Sequence, residues 1–394
     1  MRKKNWDMID RIYLDSAAST KTDPEVIEEM IPYFRELYAI PTSQFSHSFG
    51  IEVQDAIFGA RKLIKEQIGA SNEEEIVFTG SGTEANNLAI KGTAQANRSK
   101  GMHLITTKVE HLSVLESVRK LEKEGFEVTY LSVDGKGNID IEELKRSIRT
   151  DTILITIQLG NHETGTVQDI EQIQEIVANT QAYLHVDSAV SFPYLPIDLR
   201  KTKIDLMTFS PHKFYGPKGI GVLFVREGTK IAKIIDGGFN ENNLRAGTEN
   251  TPAIIGAKKA FEIFKQEDVS RIKSLKDLLR SRIENEIKDV ELNGALDNSL
   301  PHILNYTFKF VEGESIALRL DFEGIAVTTG SACYSKNLQA SYILLAMGKS
   351  HEQAHGSIRF SLSKYNNEDE INLTVLKLKE IIEDLRKLSP LGKE

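Results

Sequence analysis

Between Ile76 and Val225, short β-rich runs alternate with helix-compatible segments, and that rhythm leaves few folds open to the chain. The runs are Ile76–Thr79, His103–Thr107, Phe126–Val133, Ile153–Gln158, Tyr183–Asp187, Leu206–Phe209 and Ile220–Val225. Amphipathic stretches lie between several of them, at Glu84–Thr93, Leu112–Glu124, Ile139–Ile148 and Ile170–Asn179. Alternation of this kind predicts an α/β fold with a mainly parallel sheet covered on both faces by helices. Polar and glycine-rich turns follow many of the strands, which is where open α/β sheets place ligands.

The tail has another rhythm. The pattern predicts a long charged helix at Val269–Ile287, a strand at Ile303–Lys309, a helix at Glu314–Asp321, an irregular turn around Cys333, a helix at Ala340–Met347, a strand at Ser357–Leu362 and a terminal helix from Glu368. Such a mix suggests a smaller α+β domain, made of residues 1–14 and 263–394, beside a large domain of residues 15–262. At the front, Asp23 can cap a helix running to about Leu37, with Pro24 at the first helical position, where its missing N–H costs nothing.

The length of 394 residues, with 40% hydrophobic and 27% charged residues, is enough for a substantial core. No apolar run approaches the roughly 18 residues of a membrane span, and the Met1-Arg2-Lys3-Lys4 start lacks the hydrophobic segment of a signal peptide, so a cytoplasmic protein with no membrane contact is expected. The formal charge of −8 and the absence of a long basic patch argue against direct nucleic-acid binding. A single cysteine, Cys333, excludes an intrachain disulfide and any multi-thiolate metal site, and no metal is expected. Free cysteines are commonly inert and buried, but Thr328, Thr329, Gly330, Ser331 and Ser335 offer little apolar wall, which makes Cys333 a candidate reactive thiol.

Four further signals sit at predicted strand ends. The first is Ser210-Pro211-His212-Lys213-Phe214-Tyr215-Gly216-Pro217-Lys218-Gly219, after the run Leu206–Phe209. Lys213 could be a surface lysine beside a tight connection, or an amine held in a polar cleft to form a Schiff base. The second is Asp187, which ends the strand Leu184-His185-Val186-Asp187 and either caps the next element or sits beside the ring nitrogen of pyridoxal phosphate, keeping it protonated. The third is Thr79-Gly80-Ser81-Gly82-Thr83-Glu84, a plain strand-to-helix turn or a helix start where Gly82 and Thr83 receive a phosphate. It is neither a Walker A sequence nor a clean dinucleotide fingerprint. The fourth is His111, a structural residue at a helix start or an imidazole that stacks on a planar cofactor. Jointly these signals favour pyridoxal phosphate over a nucleotide.

On these residues the chain resembles the NifS/IscS-like cysteine desulfurases, in the class V aminotransferase group of fold-type I pyridoxal phosphate enzymes. The resemblance runs from Tyr13-Leu14-Asp15 to Ser357-Ile358-Arg359-Phe360-Ser361-Leu362, and its most specific parts are Ser210–Gly221 and Gly330-Ser331-Ala332-Cys333. It implies a seven-stranded, mainly parallel sheet, a homodimer with each active site near the interface, and conversion of L-cysteine to L-alanine with the sulfur held on Cys333 as a persulfide. Lys213 would bind the cofactor and shuttle protons, Asp187 would pair with the pyridine nitrogen, and His111 would stack over the ring. Thr83, Ser210 and His212, with Gly82, would hold the phosphate, and Thr248 would reach the phosphate in the partner subunit. Arg359 would receive the substrate carboxylate, and Asn161 lies in a loop contacting substrate and cofactor.

The sulfur acceptor implied is a protein, such as an iron-sulfur scaffold or a tRNA-thiolation protein. The pattern is not complete. Val190 stands where the family usually has a glutamine that hydrogen-bonds the phenolic oxygen of the cofactor, and His162 stands where asparagine is common. Asp15-Ser16-Ala17-Ala18-Ser19-Thr20 and Phe239-Asn240-Glu241-Asn242-Asn243 also depart from the usual segments. These changes keep a selenocysteine lyase or another pyridoxal-dependent enzyme acting on a related amino acid open as the alternative, with a noncatalytic sulfur-transfer scaffold as a third class.

Overall fold

A computed structural model describes residues 11–330 and 340–388. Among them, strands run at Ile12–Tyr13 (β1), Ile76–Thr79 (β2), His103–Thr107 (β3), Glu127–Leu131 (β4), Thr152–Gln158 (β5), Tyr183–Asp187 (β6), Leu206–Phe209 (β7), Gly221–Val225 (β8), Val290–Leu292 (β9), Ile303–Phe308 (β10), Ile325–Ala326 (β11) and Ser357–Ser361 (β12). Seven of them form the central sheet in the order β2-β8-β7-β6-β5-β3-β4. The pairs from β7 through β4 are parallel, whereas β8 runs antiparallel to both β2 and β7. The reversal of β8 follows from its connection: the short Ser210–Ile220 segment joins it to β7 with no crossover helix, so the chain turns straight back.

Side-chain alternation divides the apolar residues of each strand between two cores. Leu104, Leu154, Leu206 and Leu223 meet Val114, Val118 and Leu121 of the helix Leu112–Lys123 on one face. Ile105, Ile155, Ile157, Met207 and Val222 pack on the other face in a core shared with the helices Ser48–Ile68, Ile170–Val177 and Thr251–Ile263. The Ser48–Ile68 helix buries Val53, Ile57, Ala60, Ile64 and Ile68 at helical spacing and ends on Gly69, whose φ of 70° is the left-handed cap that glycine adopts without strain. Fully burying side chains of this kind contributes about 1.5–3 kcal/mol each against leaving them in water.

A third core gathers Ile12 and Leu14 with residues from 272 to 382, among them Leu275, Leu304, Phe308, Ile358, Phe360, Val375 and Leu378. It lies on the antiparallel sheet β12-β10-β9, against the helices Gln266–Glu286 and Glu368–Leu388. The front segment forms two short helices, Pro24–Met30 and Pro32–Arg35, instead of one helix to Leu37, and the second proline opens the second of them. Asp23 caps the first through a 3.0 Å bond accepted from the Glu25 N–H. No helix among the described residues is long and apolar enough to cross a membrane.

Candidate active site

The carboxyl ends of β5, β6 and β7 open onto a cavity of about 320 Å³. Its walls include Ala17, Ser81, Gly82, Thr83, Asn86, His111, Gln158, His162, Asp187, Val190, Ser210, His212, Lys213 and Arg359. One space therefore gathers the four strand-end signals, far apart in sequence, together with an arginine from the smaller sheet.

Lys213 sits on the single 3-10 turn Pro211–Lys213 that ends β7. Its Nζ donates to the carbonyls of Ala17 and Ala18, at 2.8 Å for Ala18, so the amine is held against the amino-terminal segment. That segment is fixed in turn by bonds from the Ala17 N–H to Ser361 Oγ (2.8 Å) and from the Thr20 N–H to the His212 carbonyl (2.9 Å).

Asp187 ends β6 almost wholly buried. Its Oδ2 accepts 2.8 Å from Asn86 Nδ2 and its Oδ1 accepts 2.9 Å from the Ala189 N–H, which leaves carboxylate lone pairs for one more donor. Asn86 also donates to Ser113 Oγ at 2.8 Å, while its own Oδ1 is buried without a partner among the described residues.

Opposite Lys213, Gly82 opens a helical run to Asn97 that carries one π turn at Leu88–Gly92. Ser81 caps it through Oγ, which accepts from the Glu84 N–H. A Cβ on Gly82 would lie 3.1 Å from Ser210 Oγ, and one on Gly221 would lie 2.3 Å from the Ser81 carbonyl carbon. Both positions need glycine because three chain segments converge there, leaving a recess lined by backbone N–H groups at a helix start, the environment that receives a phosphate. His212 sits beside it, with Nδ1 3.2 Å from Ser19 Oγ, and burial together with Lys213 and Lys218 lowers its pKa to about 3.

Two imidazoles form the far wall, edge to face with ring centroids 5.1 Å apart. His111 accepts at Nδ1 from the Ser113 N–H (3.1 Å), so Nε2 is the atom that carries its proton. Burial lowers its pKa, Asp187 opposing and Lys213 and Arg359 adding to the shift. Burial holds His162 well below the ordinary value, reinforced by His111, Arg359 and Lys213, so both rings are neutral near pH 7. Behind them, burial raises Glu110 to about 8; its Oε1 accepts from Thr107 Oγ1 (2.8 Å) and the Gln158 N–H (3.0 Å), and its Oε2 has no partner among the described residues.

Glu110 makes stability depend on pH. The folded chain holds this proton up to about pH 8, while the unfolded carboxyl loses it near 4.5, so its contribution is complete below 4.5 and is lost as pH rises to 8. Glu110→Gln fixes the neutral form at nearly constant shape. Thermal unfolding should put the variant level with the parent near pH 4.5 and ahead by about 4 kcal/mol at pH 8. Parallel stability profiles across that range would contradict this reading.

Arg359 comes from the middle of β12 and is 8% exposed. It donates 2.6 Å to Asp15 Oδ1 and 2.8 Å to the His162 carbonyl, while its Nε is buried without a partner among the described residues. Two of five N–H donors are thereby used, and the rest remain for a carboxylate.

Two residues singled out from the sequence lie elsewhere. Asn161 accepts at Oδ1 from the N–H groups of Glu163 and Thr164 in its own loop, donates from Nδ2 to the Val109 carbonyl in the segment after β3, and does not line the cavity. Thr248 is exposed, in a cleft with Gly80, Glu241 and Arg245. Cys333 lies outside the described residues. Gly330 packs against the His162 loop, where an added Cβ would come 2.0 Å from Glu163 Oε1, and Tyr342 Oη donates 2.6 Å to the Glu110 carbonyl.

Asn86, Glu110, Gln158 and Asp15 were not singled out by the sequence. Asn86 falls in the amphipathic Glu84–Thr93 stretch, but its partner Asp187 is 101 residues away, and local spacing holds no trace of that bond.

A lysine at a strand end, a buried aspartate across from it and a glycine-lined helix start fit pyridoxal phosphate, and they define a pyridoxal-phosphate-dependent enzyme of the α/β class. Residues 12–373 match the family model described as Aminotransferase class-V. The chain is 47% identical to "Cysteine desulfurase IscS" of Dictyoglomus turgidum over 386 residues, 97% of each chain. Among solved structures it is similar to "NIFS-LIKE PROTEIN", with a TM-score of 0.89 and 36% identity over 95% of this chain and all of that one. It is also similar to "SspA in complex with cysteine", with a TM-score of 0.81 and 36% identity over 90% of this chain and all of that one. The chain belongs to the class-V aminotransferase family.

Proposed function

We infer that this protein is a pyridoxal-phosphate-dependent cysteine desulfurase. The observation that carries the reading is one cavity holding Lys213, Asp187, the Gly82–Thr83 helix start and Arg359, in a chain that matches cysteine desulfurases over nearly its whole length. Pyridoxal phosphate supplies an aldehyde that joins to amines and a ring that takes up the electron pair left when a bond at the substrate α-carbon breaks. The residues then divide the work. Asp187, fixed by Asn86 and Ala189, holds a proton on the ring nitrogen. Gly82, Thr83, Ser210 and His212 would hold the phosphate, and His111 would lie against the ring. Arg359 binds the α-carboxylate of the substrate, displacing or sharing its contact with Asp15. Lys213 Nζ takes the proton from the α-carbon of cysteine and returns one.

The sulfur step falls to Cys333. Its thiolate attacks the substrate sulfur, an S–S bond forms, the Cβ–S bond breaks, and the bond's electron pair goes to carbon, where protonation gives alanine. Cysteine plus one protein thiol thus becomes alanine plus one protein persulfide, with no external oxidant or reductant. The experiment is incubation of the reconstituted protein with L-cysteine, with alanine and Cys333 persulfide measured together.

The partners follow from the same reading. A protein acceptor, an iron-sulfur scaffold or a thiolation protein, would take the terminal sulfur. We take residues 15–262 as the larger part and residues 1–14 with 263–394 as the smaller, a division that would assign Lys213 to the larger and Arg359 and Cys333 to the smaller. A homodimer is supported by the large apolar side chains exposed between Phe34 and Phe58, Phe45 at 91% and Tyr38 at 70% among them, and by exposed Phe239 and Thr248. Light scattering at micromolar concentration should give twice the 44.1 kDa chain mass, and a monomer mass would contradict the dimer.

A further inference from the structure

Val190 lines the cavity and has no hydrogen to donate, so the phenolic oxygen of the cofactor, an anion when the ring is bound to lysine, lacks a donor from that position. The sheet order indicates where a replacement must stand. The phosphate recess belongs to the β2, β8 and β7 side of Asp187, and Lys213 follows β7. In pyridoxal phosphate the phosphate arm and the phenolic oxygen flank the aldehyde carbon on opposite sides. With the arm on the β7 side, the oxygen is directed toward β5.

Gln158 is the last residue of β5, paired in register with Asp187 and therefore on the same face of the sheet. It lines the cavity and is 5% exposed. Its Oε1 lies 3.2 Å from Nδ1 of neutral His162, and its Nε2 has no partner among the described residues. The backbone beneath it is fixed by the bond from its N–H to Glu110 Oε1. With the His162 proton on Nδ1, that nitrogen donates to Oε1, and Nε2 is then the end of the amide left for the cavity.

We propose that Gln158, oriented by His162, is the positioning residue that donates to the phenolic oxygen of the cofactor in place of a side chain at Val190. The proposal rests on the cofactor reading above. It also gives His162 a task that an asparagine there would not perform in this way, that of clamping the neighbouring amide.

The test uses protein reconstituted with pyridoxal phosphate and needs no turnover. Gln158→Met keeps the volume and removes the donor, and Gln158→Asn withdraws the amide by one methylene. A donor stabilises the phenolate most when the lysine nitrogen is unprotonated, so both variants should titrate their visible absorbance about one pH unit higher than the parent. Each should bind pyridoxal phosphate about tenfold more weakly. A cofactor analogue without the phenolic oxygen should bind parent and variants alike, and Val190→Gln in the Gln158→Met background should restore the parent titration. Unchanged titration and affinity in both variants would overturn the proposal, as would an equal loss for cofactor and analogue, which marks packing alone. If the parent itself takes up no pyridoxal phosphate, the cofactor reading fails instead, so the two failures are distinct.

Discussion

Lys213→Ala is expected to lower alanine formation from L-cysteine by about a thousandfold or more and to abolish the visible absorbance of lysine-bound cofactor. The size of the effect comes from two roles in one nitrogen: the amine that joins to the cofactor and the base that moves the α-proton. Folding should survive. The turn Pro211–Lys213 is set by its backbone bonds from the N–H groups of Lys213 and Phe214 to Ser210 and Pro211, and alanine preserves them. Alanine gives up the two bonds from Nζ to the carbonyls of Ala17 and Ala18, yet the amino-terminal segment stays tied by Ser361 and His212. Circular dichroism like that of the parent, with activity within tenfold, would remove Lys213 from the chemistry.

Cys333→Ala is expected to abolish protein persulfide and to reduce cysteine-dependent alanine formation by at least a hundredfold, while cofactor uptake stays that of the parent. On the proposed reading, cofactor affinity rests on Lys213, Asp187 and the recess at Gly82, Thr83 and Ser210, all of which the variant keeps. Because Cys333 is the only cysteine, no second thiol in the chain can take over, which makes the loss sharper than in a cysteine-rich protein. An ordinary cysteine near pKa 8.5 is only a few per cent thiolate at neutral pH, so on this account the reactivity of Cys333 depends on its being held beside the substrate. Parent-like alanine formation in this variant would point to β-elimination or another sulfur acceptor.

The central sheet was legible because its strands are short and rich in apolar residues, and most are followed within two residues by glycine or serine. Ile76–Thr79, His103–Thr107, Tyr183–Asp187 and Leu206–Phe209 have the bounds expected from sequence, and the edge strand Glu127–Leu131, polar and half exposed, is shorter than its β-rich run. The reversed direction of β8 was not anticipated by a mainly parallel rhythm. It depends on the short connection after Lys213, whose length is visible but whose path is set by the close approach of Gly221 to Ser81. The helix Ser48–Ile68 went unread although Val53, Ile57, Ala60, Ile64 and Ile68 carry a helical period.

In the site, residues at strand ends were readable because strand ends are where such sheets bind ligands. The supports were not. Asn86 on Asp187, Asp15 on Arg359 and the Ala17 and Ala18 carbonyls on Lys213 are contacts across 101, 344 and about 195 residues, created by the fold alone. Asn161 was expected to contact a ligand; in the fold its Oδ1 holds the loop at Glu163 and Thr164 and its Nδ2 donates to the Val109 carbonyl, contacts that the sequence does not show.

One single-turnover measurement tests the sulfur-transfer account most directly. The parent protein, loaded with pyridoxal phosphate, is mixed with one equivalent of L-cysteine, and alanine and the mass of the Cys333 peptide are followed together. The account predicts one alanine for each persulfide on Cys333, appearing with the same rate. Pyruvate and free sulfide in place of alanine, or alanine with an unmodified Cys333, would contradict it.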